Sequence, residues 1–445
     1  MGNRLIVIGG VAAGMSAAAK SKRMDREIKV VVYEKSPHIS YAACGMPYFI
    51  AGDVPDYHSL IVRTPAQMAK QGVEVHVRHK VTAIDPGARM VVVRDLDDGR
   101  EFTQEYDRLV IATGARPAQP PLPGLDLAGV FVLRSLVEGL AIQRFLVERE
   151  PRRAVILGGG YTGVEMAETF RRLGLEVRIV IRSGKVMRGT LDDDVRALVE
   201  EELARQGVEV VKGEPVAFEG DGRVEAVVTG DGRCLCDVAL LGIGVKPDVP
   251  LARAAGVALG ATGAIATDDH MRTNLPDVYA AGDCAEAFHL VTGEPAYIPL
   301  GSTANKQGRV AGTNAAGGEA TFSGVVGTMV VRVFDLVVAR TGLTAAQAQR
   351  LGYTIRAPMI EAMDGSHYFP GAAPIHVKLV VEESGRLLGG QIVGRKGVAK
   401  RVDVLATALH HQLTVADLRR LDLSYAPPFA PVWDPILVAA NVAAR

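Results

Sequence analysis

One pattern constrains the fold of this chain more than any other: a βαβ unit with a glycine-rich turn occurs twice, about 150 residues apart. Residues 4 to 35 read as an apolar strand from Leu5 to Ile8, the loop Gly9-Gly10-Val11-Ala12-Ala13-Gly14, an alanine-rich helix, a strand from Ile28 to Tyr33, and then Glu34. Residues 153 to 182 repeat the plan with the strand AVILG, the loop Gly158-Gly159-Gly160-Tyr161-Thr162-Gly163, a helix from Val164 to about Leu173, and the strand EVRIVI. Glycines let the backbone turn tightly and approach a pyrophosphate, which then rests on the amide-rich, positively polarised helix N-terminus. Two such units predict an α/β chain with two Rossmann-like sheets and two dinucleotides.

The residues after each unit discriminate between nucleotides. The second loop fits G-x-G-x-x-G throughout, while the first carries Val11 at the middle glycine. Glu34 closes the strand that follows, where a carboxylate accepts both ribose hydroxyls of an adenosine. In the second unit Ile181 stands opposite Glu34, and Arg182 and Ser183 follow. A cation and a hydroxyl there suit a 2′-phosphate, which predicts NADPH over NADH; the bland alternative is a solvated surface arginine. Two further strand ends, Ala112-Thr113-Gly114 and Ala281-Gly282-Asp283, bring small residues and one acid to the nucleotide edge. Asp283 alternatively caps a helix starting near Cys284.

At 445 residues the chain exceeds one compact core. The proline-rich stretch ARPAQPPLPG is the linker candidate in the first half, and from about Val325 the texture changes to strands at 327–341 and 375–394 with one helix at about 398–411. The expected division is 1–116 with 250–324, 117–249, and 325–445, the last an α+β domain. Fifty basic residues balance fifty acidic ones, which removes the electrostatic case for nucleic acid or an anionic membrane as main partner. No run reaches the roughly 18 apolar residues of a membrane helix. The glycine-broken N-terminus reads as strand, loop and helix and not as a signal peptide. Four cysteines make no disulfide framework and fit a reducing compartment, with a cytoplasmic location as the default. Cys234 and Cys236 lack further ligands for zinc, so no metal site is expected.

The ordered blocks VIGGVAAG…YEK, ISYAACGMPYF, LVIATGARP, GGGYTGVEMAE, GIGVKPD, VYAAGDCAEA, ANKQGR and YAPPFAPVWDP resemble the flavin-dependent pyridine nucleotide-disulfide oxidoreductases over nearly the whole chain. They are most similar to the single-cysteine branch of coenzyme A disulfide reductases, NADH oxidases and persulfide reductases. The resemblance implies FAD on the first unit, with Gly9, Gly10, Ala13, Gly14, Glu34, Lys35, Val81, Thr113, Gly114, Arg134, Asp283 and Ala304 at family positions. It implies NADPH, and also NADH, on the second, with Gly158, Gly159, Gly160, Thr162, Gly163, Arg182, Ser183 and Gly244. Tyr161 takes the place of a gating tyrosine over the flavin, and Glu165 an acidic position near the nicotinamide. The C-terminal domain is implied to form a homodimer and to reach into the partner's active site.

Within that resemblance Cys44 is the redox thiol. The two-cysteine branch carries C-x4-C, but the residue five after Cys44 is Phe49, so no internal disulfide forms there. A lone thiol alternates between thiolate and a mixed disulfide, persulfide or sulfenic acid. A nearby helix N-terminus is expected to favour its thiolate. Tyr368 in HYFPG and Tyr425 in LSYAPPF match the tyrosines that a coenzyme A disulfide reductase supplies from the partner chain. Ser16, Lys20 and Arg23, spaced three and four apart on one helix, offer donors to coenzyme A phosphates, and Ser40, Asn305 and Arg309 match substrate-side positions. One departure is Ala43, where the branch commonly has Asn. The leading expectation is NADPH-driven reduction of coenzyme A disulfide through FAD and a Cys44–CoA mixed disulfide. The alternatives are an oxidase that reduces O2 through Cys44 sulfenic acid, a coenzyme A persulfide or polysulfide reductase, and a flavin-bearing redox sensor or binding protein.

Overall fold

The computed structural model describes residues 3–444. Its first sheet runs Val278–Ala280, Arg108–Ile111, Arg4–Ile8, Lys29–Glu34, Val73–Val77, all parallel. The central strands are almost continuously apolar because a parallel sheet is covered on both faces, while the edge strand Val73–Val77 carries Glu74 and His76 toward solvent. Register sets the site. Gly9 N–H donates to the Tyr33 carbonyl, Ala112 N–H to Ile8, and Ala281 N–H to Ile111, so Gly9, Glu34, Thr113 and Gly282 emerge along one carboxyl edge. One face is covered by Ala12–Met24 and Gly301–Ala315, which approach closely because small residues meet: a Cβ on Gly308 or Gly312 would strike the carbonyl of Ala13 or Ala17.

The second sheet repeats the topology as Val208–Lys212, Glu176–Ile181, Arg153–Leu157, Val238–Leu241, Val130–Val132, again parallel. Its glycine-loop helix is Tyr161–Arg172, starting three residues before the expected Val164. The two halves are joined by a two-stranded antiparallel ribbon, Ala115–Pro117 with Val245–Pro247. The C-terminal region is an antiparallel sheet, centred on Leu336–Gly342, Leu387–Gly394 and Pro374–Glu382, with Val398–His410 packed on it; the expected strand stretches 327–341 and 375–394 are each a pair of antiparallel strands. Three helices there escape the sequence reading, Ala345–Arg350, the single turn Val415–Leu418, and Pro435–Ala443. Pro435–Ala443 is apolar almost all round, so it has no 3.6-residue stripe to read.

One apolar cluster draws on all three parts: Met46 and Phe49 beside the thiol, Val164 and Phe170 on the second glycine-loop helix, and Met329 and Val333 from the C-terminal sheet. No helix among the described residues is long and apolar enough to cross a membrane.

Candidate active site

Both glycine-loop helices begin without a side-chain cap, at Val11 and Gly160, and neither has an acid in its first turn. Helices opening at Thr64, Ser135 and Thr344 instead carry full capping boxes. The uncapped N–H groups are therefore free for a phosphate. Gly14 is required by the turn itself, since a Cβ there would run into the Gly9 carbonyl oxygen. Gly160 differs: a Cβ there meets no protein atom within 4 Å, so the space it leaves is space for a ligand.

On the first sheet Glu34 is buried, with its carboxylate accepting from Gly10 N–H at 2.7 Å and Ser36 N–H at 2.8 Å. Lys35 turns outward to Asp248, and Thr113 donates to the Asp248 carbonyl at 2.6 Å. Ala13 and Ala304 flank Gly282 at the helix seam, while Val81 is buried beside Tyr33 in a neighbouring cluster. Asp283 caps no helix, because residues 282–285 form a turn, closed by Ala285 N–H on the Gly282 carbonyl. Its carboxylate instead pairs with Arg134, whose backbone is fixed by Glu138. Near that pair the Tyr297 hydroxyl is buried with no hydrogen-bond partner, and burial raises its pKa. An orphaned phenol beside an Arg–Asp pair at a Rossmann edge fits an isoalloxazine or its ribityl chain, so the residues present suit FAD.

The second unit opens onto a cleft of 1280 Å³, lined by Gly158 to Thr162, Arg182, Gly244, Arg134 and Tyr297. Gly163 lies under the turn, against the Gly158 carbonyl. Arg182 is largely exposed at the rim, 3.8 Å from Glu214, and Ser183 follows it with its hydroxyl turned to Lys185. The opposite wall holds His289, buried and pushed down to about 4 by burial and by Arg340, hence neutral.

Cys44 lies in a short 3-10 turn, Ala43–Gly45, that leads into Met46–Ile50. It is exposed, whereas Cys234, Cys236 and Cys284 are buried, and no group of metal-ligating residues occurs among the described residues. The helix N-terminus is where the sequence placed it, yet the thiol is held above its ordinary pKa. Part of the residue is open to solvent, but the protein packed round the sulfur desolvates it and contributes most, then the Glu165 carboxylate, with Arg134 opposing. A five-residue helix is too short to outweigh them. Glu165 itself is pushed up to about 7 by burial and by Glu168.

That shift has a consequence for stability. The unfolded carboxyl releases its proton near 4.5 and the folded one near 7, so between those values the folded chain holds more protons. Stability therefore falls as pH rises through that window. Glu165→Gln is expected to flatten this slope in urea melts; a slope identical to wild type would show that the carboxyl ionises freely where it stands.

The substrate-side residues gather along the seam of the two first-sheet helices. Ser16 Oγ donates to Asn305 Oδ1 at 2.7 Å, Lys20 and Arg23 continue along one helix, and Arg309 lies a turn beyond Asn305 on the other. Ser40 sits at φ +46°, its N–H bonded to the Gly10 carbonyl. Tyr368 and Tyr425 touch each other, with Ser366 beside them, on an exposed aromatic face with Phe429 and Trp433. The charged groups that act most on Cys44 are Glu165, Arg134 and Asp283, while the neighbours acting on Tyr425 are Tyr368 and Ser366.

The comparisons with known proteins agree with this geometry. The chain matches the pyridine nucleotide-disulphide oxidoreductase pattern over residues 3–312 and that family's dimerisation domain over 328–435. It is 40% identical to an NAD(P)H coenzyme A polysulfide/persulfide reductase of Pyrococcus horikoshii, over 99% of this chain and 98% of that one. The crystal structure of reduced Bacillus anthracis CoADR-RHD superposes with a TM-score of 0.96 at 35% identity, covering 100% of this chain and 80% of that chain. An engineered water-forming NADPH oxidase bound to NADPH, a variant of the Lactobacillus brevis NADH oxidase, gives 0.95 at 29% over 99% and 98%. With two glycine-loop sheets, a lone exposed cysteine between them and these matches along nearly its full length, the chain belongs to the pyridine nucleotide-disulphide oxidoreductases, a family that uses FAD.

Proposed function

We propose that this chain is an NADPH-dependent reductase of coenzyme A disulfide working through Cys44. The observation that carries the reading is the single exposed thiol with no cysteine to pair with, set among Glu165, Arg134 and Asp283 at the meeting of two nucleotide sites. In this reading residues 1–116 with 250–324 hold FAD and 117–249 hold the nicotinamide nucleotide. FAD, when bound, supplies the two-electron link between NADPH and sulfur. Cys44 Sγ attacks one sulfur of the substrate, forming a Cys44–CoA disulfide and expelling one CoA thiolate; two electrons and a proton from NADPH and solvent then return the thiol and release the second CoA. Glu165, able to hold a proton near neutral pH, suits proton transfer at that sulfur. Lys20, Arg23 and Arg309 have no carboxylate partner among the described residues, which supports a phosphate-bearing substrate along the helix seam. The exposed Tyr368–Tyr425 pair supports a homodimer in which each chain donates these phenols to its partner's Cys44.

A second reading, reduction of a CoA persulfide or polysulfide, is favoured by the 40% identity to a reductase named for those substrates. Anaerobic NADPH turnover with CoA disulfide, with CoA persulfide and with neither, beside oxygen uptake without sulfur substrate, separates the readings. Rapid oxygen uptake alone would replace both by an oxidase.

The preference for NADPH rests on Arg182 and Ser183. The engineered NADPH oxidase is described as replacing three consecutive residues, Asp, Ala and Met, by Ala, Arg and Ser, and a Pro five positions on by Arg. This chain carries Ile181, Arg182 and Ser183, and Arg188 five positions after Ser183. Arg182→Glu is expected to raise KM for NADPH about 10- to 100-fold and to leave NADH nearly unaffected. Unchanged selectivity would mark Arg182 as surface charge only.

A further inference from the structure

The cleft wall that faces the second glycine loop is built by the C-terminal region. Arg340, on the strand Leu336–Gly342, lines it together with Gln347 from the helix Ala345–Arg350. The Arg340 guanidinium donates only to uncharged acceptors. Nη1 reaches the carbonyls of Thr190 at 3.0 Å and Gly189 at 3.5 Å; Nη2 reaches the Gly342 carbonyl at 2.6 Å and Gln347 Oε1 at 3.2 Å. Burial lowers its pKa, so the cation is desolvated without an ion-pair partner. Placing a cation there is costly unless its donors are satisfied, and here the planar fork satisfies them by bridging two parts of the chain.

The bridged segment is the one that reads the nucleotide. It leaves the second sheet at Arg182, folds back so that Met187 N–H donates to the Gly159 carbonyl at 2.7 Å, and turns again with Thr190 N–H on the Met187 carbonyl at 2.9 Å. At its end Asp192 is tied to the C-terminal sheet by Gln391. The Tyr161 phenol stands at the mouth of the glycine loop beside Thr190 and within the field of Arg340, in the same cleft.

We propose that Arg340 is a positioning residue: it clamps the 182–191 segment to the C-terminal region and, through Thr190, fixes the Tyr161 phenol in the nucleotide cleft. The third part of the chain thereby sets access to the nicotinamide site from outside the nucleotide-binding sheet. The inference rests on the reading of this cleft as the NADPH site.

The test uses the holoenzyme and reads the rate at which NADPH bleaches the flavin absorbance, together with amide hydrogen exchange at Met187 and Thr190. Arg340→Gln is expected to change the bleaching rate about tenfold and to raise exchange at both amides by at least about tenfold, with Arg340→Lys in between. In a Tyr161→Phe background the same substitution is expected to alter the bleaching rate by no more than about twofold, because the link is already cut. Additive effects in the double variant, or unchanged exchange in Arg340→Gln, would overturn the clamp. Should Arg340→Gln fail to fold, Thr190→Val cuts the same link from the other side; it must reproduce Tyr161→Phe, and a wild-type rate for Thr190→Val sinks the proposal. Wild-type flavin that NADPH cannot bleach refutes the nucleotide reading instead, and the exchange measurement still decides the clamp.

Discussion

Cys44→Ser is expected to lose at least about 10³-fold in CoA disulfide reduction while its flavin is still bleached by NADPH at a rate within about twofold of wild type. The asymmetry follows from the placement of the thiol. Cys44 belongs to the loop after Glu34, and the nucleotide cleft is lined by other residues: Gly158 to Thr162, Arg182 and Tyr297. A serine hydroxyl preserves size and hydrogen bonding but cannot hold a sulfur–sulfur bond, so the half of the cycle that meets the substrate stops and the half that meets NADPH continues. No second cysteine can take over, because the other three are buried. Full CoA disulfide turnover by Cys44→Ser would remove the thiol from the mechanism. Loss of both halves together would point to collapse of the Ala43–Ile50 turn, which circular dichroism and flavin content would reveal.

Gly14→Ala is expected to yield colourless protein or none. The added Cβ would run into the Gly9 carbonyl, and the obstacle is backbone, which cannot swing aside as a side chain can. Relief requires pulling Ala12–Met24 away from the sheet, against its packing on Gly301–Ala315 through Ala13 and Ala17. The cost is about 3 kcal/mol or more, a large share of a typical domain's stability. The check is the ratio of flavin to protein absorbance after purification beside the melting temperature. A yellow variant that melts like wild type would contradict this account of the turn.

What the sequence made legible was whatever is encoded within one βαβ unit. The glycine loops, Glu34 at the end of its strand and Arg182 after the second strand are fixed by local spacing, and the structure places each at its sheet edge. What stayed hidden depends on elements distant in the chain. No helix follows Asp283: residues 282–285 close a turn, and its carboxylate is claimed by Arg134, which follows the second-sheet strand Val130–Val132. Tyr297 sits in a stretch without periodicity, and only the tertiary fold strands its hydroxyl beside that pair. Arg340 reads as an ordinary strand residue until the 182–191 segment is folded against it. The raised pKa of Cys44 has the same origin: the protein packed round its sulfur contributes most, and the next contribution, the Glu165 carboxylate, comes from the other glycine-loop unit.

The apolar cluster shared by Met46, Val164 and Met329 has a meaning for how such a chain changes over generations. A topology drawn as three modules invites the idea that each could be exchanged or refined alone. Residues from all three fill one interior, and interiors are close-packed, so a methyl group gained in one module must be accommodated by the other two. The thiol loop, the nucleotide helix and the C-terminal sheet are therefore bound to a common mutational history, and a chimera that swaps any one of them must carry its share of that interior with it.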